Sequence, residues 1–326
     1  MKENPNPLVS IITPAYNAGA YIVDTIKSVL DQTYPSFEMI VVDDGSTDDT
    51  AEKVQSIDDP RIDLVRQANA GVAAARNRAM ELARGDYFAF LDADDLALPT
   101  RLERQLDFLQ QHHDVALVGS AAQIWEDQTP TDRYLRHTCS PPELAFDMLF
   151  ENYLVNSTVM VRRSIISRVG RFTLKQSRRH EDFELWSRIG RRHPVANLPD
   201  VLVAYRVHPG SICRTENFDA NGVRLSAENI AHAVGSWWVR PAHRLLAALM
   251  RGQDPPPARL KYESLQCLLE KLSHRLEVRF QLPPGALDLV LARHRDNLRH
   301  HWERCFGPLP EPVPSIAQRV KHRLER

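Results

Sequence analysis

Little in this chain points to a covalent or bilayer framework. Its four cysteines in 326 residues (Cys139, Cys213, Cys267 and Cys305) stand far apart, with no Cys-x-x-Cys pair. That spacing excludes a disulfide scaffold and a cysteine-built zinc site, and it reads as reduced thiols in the cytoplasm. No stretch approaches the roughly 20 apolar residues that a bilayer span requires. The polar start, MKENPNP, has no apolar run behind it of signal-peptide length, so any membrane contact is expected to be peripheral, on the inner face. Charge of one sign is also lacking: 41 Lys and Arg against 42 Asp and Glu leave a net charge of -1, which gives no electrostatic case for nucleic acid. No Gly-x-Gly-x-x-Gly follows the first strand-like run and no glycine-rich loop with lysine appears early. Both absences count against a dehydrogenase or a nucleotidyltransferase. No internal repeat is visible.

The composition that is present, 43% hydrophobic and 25% charged, is that of a soluble globular protein. Its first half alternates strand and helix. LVSIIT and FEMIVVDD are short apolar runs of the kind buried on both faces of a parallel sheet, RIDLVRQ is a weaker third, YFAFLDADD a fourth and VALVGS a fifth. Between them, Ile22, Ile26, Val29 and Leu30 recur at helical spacing, Ser46 is placed to cap a helix in STDDTAEKV, and Gly85 closes an alanine-rich helix. Pro99 opens a further helix striped by Leu102, Leu106 and Leu109. The alternation predicts an α/β domain with a mostly parallel sheet, in which ligands sit at the carboxyl ends of the strands. HEDFELWSRIG and VLVAYRVHPGS continue the pattern; beyond Cys213 only helical segments broken by prolines remain. The expected division is residues 1–215 for the α/β domain and 216–326 for a helical appendage.

Three acidic clusters fall where strands end or a helix begins: Asp43-Asp44, Asp92-Ala93-Asp94-Asp95, and Glu181-Asp182. Two aspartates one residue apart at the end of a buried strand offer hard oxygen ligands for Mg2+ or Mn2+. The plainer alternative is that these acids cap the helix opened by Pro99, a role expected of Asp95 in particular. The dipeptide Asp44-Gly45 is also a common turn signal.

From Val9 to about Ser211 the chain resembles the family 2 glycosyltransferases of the GT-A fold. The resemblance rests on VSIITPAYN, VVDDGSTDDT, NAGVAAARNRA, GDYFAFLDADD, HEDFELWSRI and YRVHPGS, present in the family's order. It implies that Pro14 and Tyr16 flank a nucleotide base, with Asn17 and Gly45 in the adjoining turns, and that Asp44 contacts the uracil imide. Asp92 and Asp94 match the family's DxD acids, Asp94 as metal ligand and Asp92 toward ribose or metal. Arg76 matches a basic residue near the diphosphate, which a planar guanidinium suits. Asp182 matches the catalytic base of the inverting members, with Glu181 as the neighbour that orients it or raises its pKa. His208 is a candidate third metal ligand and Arg206 a phosphate contact. Leu185, Trp186 and Ile189, behind the acid pair, read as core.

The resemblance therefore implies a metal-dependent inverting transferase. It takes a nucleotide diphosphate sugar, with UDP the favoured donor nucleotide, and a saccharide or lipid-linked saccharide acceptor in cell-surface polysaccharide or glycolipid synthesis. A non-catalytic nucleotide-sugar or saccharide-binding member of the same fold is the rival reading. The family often carries a Gly-Gly-Phe segment ahead of the acid pair, where this chain reads VGRFTLKQSRRHED. Lys175, Arg178 and Arg179 there are candidates for an acceptor loop or a solvated one. At the C-terminus, SIAQRVKHRLER sets Ile316, Val320 and Leu324 one turn apart among basic residues. That pattern suits a membrane surface, the protein's own domain or a second copy in a homo-oligomer.

Overall fold

Buried β-branched runs satisfy their backbone by pairing, and four of the expected runs do so in parallel. Val9–Ala15 (β1), Phe37–Asp43 (β2), Ile62–Arg66 (β3) and Tyr87–Phe90 (β4) lie in the order β3-β2-β1-β4. Helices Ile22–Leu30 (α1), Thr50–Gln55 (α2) and Val72–Leu82 (α3) make the crossovers. In β4, Tyr87 and Ala89 pack with Ile22 and Ile26 of α1, whereas Phe88 and Phe90 pack with Ala75 and Ala79 of α3. This is the two-residue period of a strand covered on both faces. The structure, a computed structural model, describes residues 6–174, 180–210, 220–255 and 260–309.

The second half adds Leu96–Ala97 (β5), Arg101–Gln111 (α4), Leu117–Glu126 (β6), Thr129–Leu135 (β7) and Pro141–Asp147 (α5). Met160–Arg162 (β8), Arg163–Val169 (α6), Glu181–Gly190 (α7) and Val195–Val207 (β9) follow. The sheet runs on as β4-β8-β6-β9-β5, with β7 paired to β6. Most of the paired length is parallel, as expected. β5, β7 and β8 join antiparallel and bring β9 back across the DxD loop.

Three local expectations are corrected. Ser46 does not cap α2; its hydroxyl accepts the Asn17 N–H at 2.9 Å and ties two turns together. Gly85 is not the stop of α3, which ends at Leu82. A Cβ at Gly85 would meet the Leu8 carbonyl oxygen at 2.6 Å, so the glycine serves a close approach to β1. Asp95 caps nothing: α4 has Thr100 at its N-cap with no side-chain cap bond, and Asp95 is buried against β9.

Helices Ala220–Ala233 (α8), Pro241–Met250 (α9), Tyr262–Arg279 (α10) and Asp288–Phe306 (α11) follow. Their apolar stripes gather Ile230, Leu245, Leu269 and Leu291 around Phe146, Leu149 and Phe150 at the end of α5. The expected boundary near residue 215 lies outside the described residues, as do Lys175, Arg178, Arg179 and the helix expected around Ile316, Val320 and Leu324. Among the described residues no helix is long and apolar enough to cross a membrane.

Candidate active site

The ends of β1 and β2 are laced into one rim. The Asp44 N–H donates to the Ala15 carbonyl oxygen at 2.8 Å, and the Asn17 side-chain oxygen accepts the Thr47 N–H at 2.8 Å. Asn17 holds a left-handed φ of 50°, a region that asparagine tolerates. Pro14 is buried in the β1–β2 pairing, and Tyr16, 53% exposed, stands open at the rim. Gly45 has φ +77°, and a Cβ there would meet the Asn69 nitrogen at 2.8 Å. Asp44 itself is buried and latches the loop before α3. One carboxylate oxygen accepts from Gln67 Nε2 at 2.7 Å and the Ala70 N–H at 2.9 Å, and the other accepts from the Gly71 N–H at 2.8 Å.

Arg76, on α3, joins acids that are far apart in sequence. One guanidinium nitrogen donates to Asp92 at 2.7 Å and another to Glu181 at 2.7 Å. Its side chain is 5% exposed and theirs 30% and 13%, so the fork is largely out of water. Burial works against the cation, but Asp92 and Glu181 outweigh it and hold its pKa above the usual arginine value. Asp92 also accepts from Asn156 Nδ2 at 3.1 Å, and its own N–H donates to the Ser157 hydroxyl at 3.1 Å. The guanidinium expected near a diphosphate is thus the bolt between the DxD loop and α7.

Asp182, in the first turn of α7, accepts from Asn152 Nδ2 at 3.0 Å and from the Phe183 N–H at 2.7 Å. Burial, and then the charge of Glu181, push its pKa up to about 6 against the pull of Arg76. Such a carboxylate is ionised near neutral pH yet basic enough to take a proton from an alcohol during bond formation. Leu185, Trp186 and Ile189 are fully buried core, as expected.

On the opposite flank His208 Nε2 lies 2.9 Å from Asp94, and its Nδ1 accepts the Gly210 N–H at 3.2 Å. With Nδ1 accepting, Nε2 is the ring nitrogen left to donate to Asp94. Burial and then Asp92 raise the Asp94 pKa, with His208 opposing. Among the described residues no three His, Cys, Asp or Glu side chains converge as a metal cluster. The donor set nevertheless fits Mg2+ or Mn2+, which one or two carboxylates hold while donor phosphates complete the shell. A carboxylate that resists ionisation beside a second one, as Asp94 does beside Asp92, is what a dication would stabilise. Arg206, expected at the phosphates, is buried on the α1 side. Its guanidinium meets Asp24 at 3.3 Å and lies 5.4 Å over the Tyr21 ring, while its N–H donates to Asp95 at 2.8 Å.

The chain that carries this candidate site finds counterparts among known proteins. The sequence model described as "Glycosyl transferase family 2" matches residues 10–171. The Escherichia coli protein WfaP, a UDP-Glc:alpha-D-GlcNAc-diphosphoundecaprenol beta-1,3-glucosyltransferase, is 34% identical over 73% of this chain and 90% of its own. TuaG of Bacillus subtilis, a glycosyltransferase named for teichuronic acid biosynthesis, is 37% identical over 64% of this chain and 82% of its own. This chain is a family 2 glycosyltransferase. Its fold is GT-A: TarS of S. aureus, crystallised with UDP-GlcNAc, superposes with a TM-score of 0.60 at 16% identity, over 94% of each chain.

Several residues of this glycosyltransferase's candidate site escape a reading of its sequence. Asn152, Asn156 and Ser157 hold Asp182 and Asp92 from an irregular stretch, where amide and hydroxyl side chains are too common to signal anything. Arg101 lies fully buried beneath the DxD loop and donates to the Phe90 carbonyl oxygen at 2.7 Å; on a helix whose leucine stripe marks the core, a cation looks solvated. Asn77 trades two hydrogen bonds with the backbone of Phe172, at 2.9 and 3.0 Å, and so ties Phe172 to α3. The "AARN" string around Arg76 was the available clue to that clamp.

Proposed function

We propose that this glycosyltransferase moves a sugar from a UDP-sugar to a hydroxyl with inversion, using a divalent metal and Asp182 as base. The observation that supports the reading is the Arg76 fork, which pairs Asp92 of the Asp-Ala-Asp loop with Glu181 beside Asp182. Inversion is a one-step displacement at the anomeric carbon and needs one carboxylate on the acceptor side. Asp182, with its pKa near 6, has the required basicity. Asp94 and Asp92, with His208 adjoining, would hold Mn2+ or Mg2+. That ion supplies charge stabilisation for the departing diphosphate. Tyr16, Pro14 and Asn17 offer the base its rim, with Asp44 and Gly45 below.

Support for the donor comes from WfaP, named for UDP-glucose. The same name supports a lipid-linked saccharide acceptor, as in cytoplasmic assembly of surface polysaccharide. In this reading residues 1–215 form the catalytic domain and 216–326 a helical region that serves membrane approach or self-association. Release of UDP from a panel of UDP-sugars, with Mn2+ or a chelator, tests it. Asp182→Asn should lower turnover by about 10^2- to 10^4-fold with nucleotide affinity almost unchanged, whereas Asp94→Ala should weaken both. Equal loss of nucleotide binding in the two variants would remove the division of roles.

A further inference from the structure

The helical region carries an exposed face that the transfer reaction does not use. After α8 ends, the chain turns through Gly235 and presents Trp237, 97% exposed, and Trp238, 66% exposed. Two neighbouring indoles in water are an unusual expense for a soluble protein, and tryptophan favours sites where one end is apolar and the other wet. Arg240 lies 5.8 Å over the Trp238 ring. Burial first, and then Arg240 and Lys271, depress the pKa of His243, so these two cations face the same ring.

From Lys271 a basic row continues down α10. Lys271, Arg275, Val278 and Arg279 fall on one helical stripe, about 12 Å long at 1.5 Å per residue. Lys271, Arg275 and Arg279 form no ion pair with any described residue. The row ends at a cavity of about 310 Å³ between α5, α7, α8 and α10, lined by Arg191, His232, Arg275, Val278 and Arg279. Burial, and then Arg191, Arg279 and Arg192, push the His232 pKa down, as a cluster of positive charge must. In a chain of net charge -1, this is a local concentration of cations beside exposed apolar rings.

We propose that this face docks on an anionic phospholipid surface, with Trp237 and Trp238 entering the interface and Lys271, Arg275 and Arg279 receiving lipid phosphates. Indoles at headgroup depth and arginines near anionic headgroups both gain from such a surface. The face lies at the carboxyl end of α7, about 14 Å along the helix from Asp182. The docking deepens the reading of a lipid-linked acceptor and rests on it only for a reason to approach the bilayer.

Co-sedimentation of the full chain with vesicles tests the proposal without donor or acceptor, so its failure would leave the Asp182 chemistry standing. The chain should bind phosphatidylglycerol–phosphatidylcholine vesicles and lose that binding on pure phosphatidylcholine or in high salt. Trp237→Ala with Trp238→Ala should release it, and Arg275→Gln with Arg279→Gln should weaken it about fivefold per arginine. All four side chains are exposed; Arg279 also donates to the Gly190 carbonyl oxygen at 2.7 Å, so binding is compared with the parent's in variants whose circular dichroism and melting match it. Unchanged binding in both pairs would place any membrane contact elsewhere in the chain and overturn the proposal. So would a dimer dissolved by the tryptophan changes, or arginine-dependent stabilisation by inorganic phosphate without vesicle binding.

Discussion

Asp182 ionises against its surroundings, and that has two measurable consequences of opposite sign. Burial and Glu181 raise its pKa from 3.8 to about 6, so the native state favours the protonated form. The stability it contributes is complete below the unfolded value and is lost as pH rises through about 6. Asp182→Asn keeps a neutral group of nearly the same shape, so in denaturant unfolding it should flatten the fall in stability between pH 3.8 and about 6, while removing transfer. The parent's kcat/KM should climb about tenfold per pH unit below about 6 and then level, as a single base requires. A profile flat through that value would take the role from Asp182. Arg76 is the reverse case, a cation whose loss strands two carboxylates out of water. Arg76→Ala should cost about 3 kcal/mol in denaturant unfolding. Arg76→Lys should recover only part of that, since an ammonium cannot fork to Asp92 and Glu181 together.

At the scale of elements, what could be read in advance was whatever repeats locally. The stripe of Ile22, Ile26 and Val29 announces α1, and the apolar runs announce β1, β2 and β4, because burial on one side leaves a 3.6-residue stripe in a helix and burial on both faces leaves an unbroken apolar run in a strand. β5 is two residues long and β7 reads TPTDRYL; both exist only because β9 and β6 offer them a ladder, so neither has a period to show. The candidate site divides in the same way. The acids and Arg76 were visible as residues, but Arg76 and Glu181 are 105 positions apart, and their pairing is a property of α3 and α7 meeting over the sheet. Asp95 misled for this reason: its partner, the Arg206 N–H, comes from β9, which local capping logic does not see. Asp44 shows a further limit, since its latch on the loop before α3 involves main-chain donors that carry no sequence identity. Asp44→Asn leaves one oxygen for three donors. It should speed hydrogen exchange at Ala70 and Gly71 and cost about 1–2 kcal/mol. Protection at those amides equal to the parent's would show that the loop holds itself.

Over the whole molecule, the helical region acts as the back wall of the catalytic elements. Phe146, Leu149 and Phe150, at the end of α5, are 0%, 7% and 2% exposed, and their cover is α8 to α11. Asp147 adds a buried pair with His294 at 2.7 Å and a contact with Arg293. α7 is gripped from the same side: Asn229 of α8 donates to the Ser187 hydroxyl at 2.9 Å and accepts from Arg191 at 2.7 Å. Ending the chain after residue 215 would uncover the three side chains at roughly 1.5–3 kcal/mol each, strip the partner from a buried aspartate and loosen the helix that carries Asp182. The sum rivals the stability of an ordinary domain. The shortened chain should therefore bind a hydrophobic dye and lose transfer. The full chain should melt in one transition reported alike by near- and far-ultraviolet circular dichroism. Two resolved transitions, with a soluble and active shortened chain, would mean that the α/β layer stands without its helical wall, and that the α5 aromatics find cover of their own.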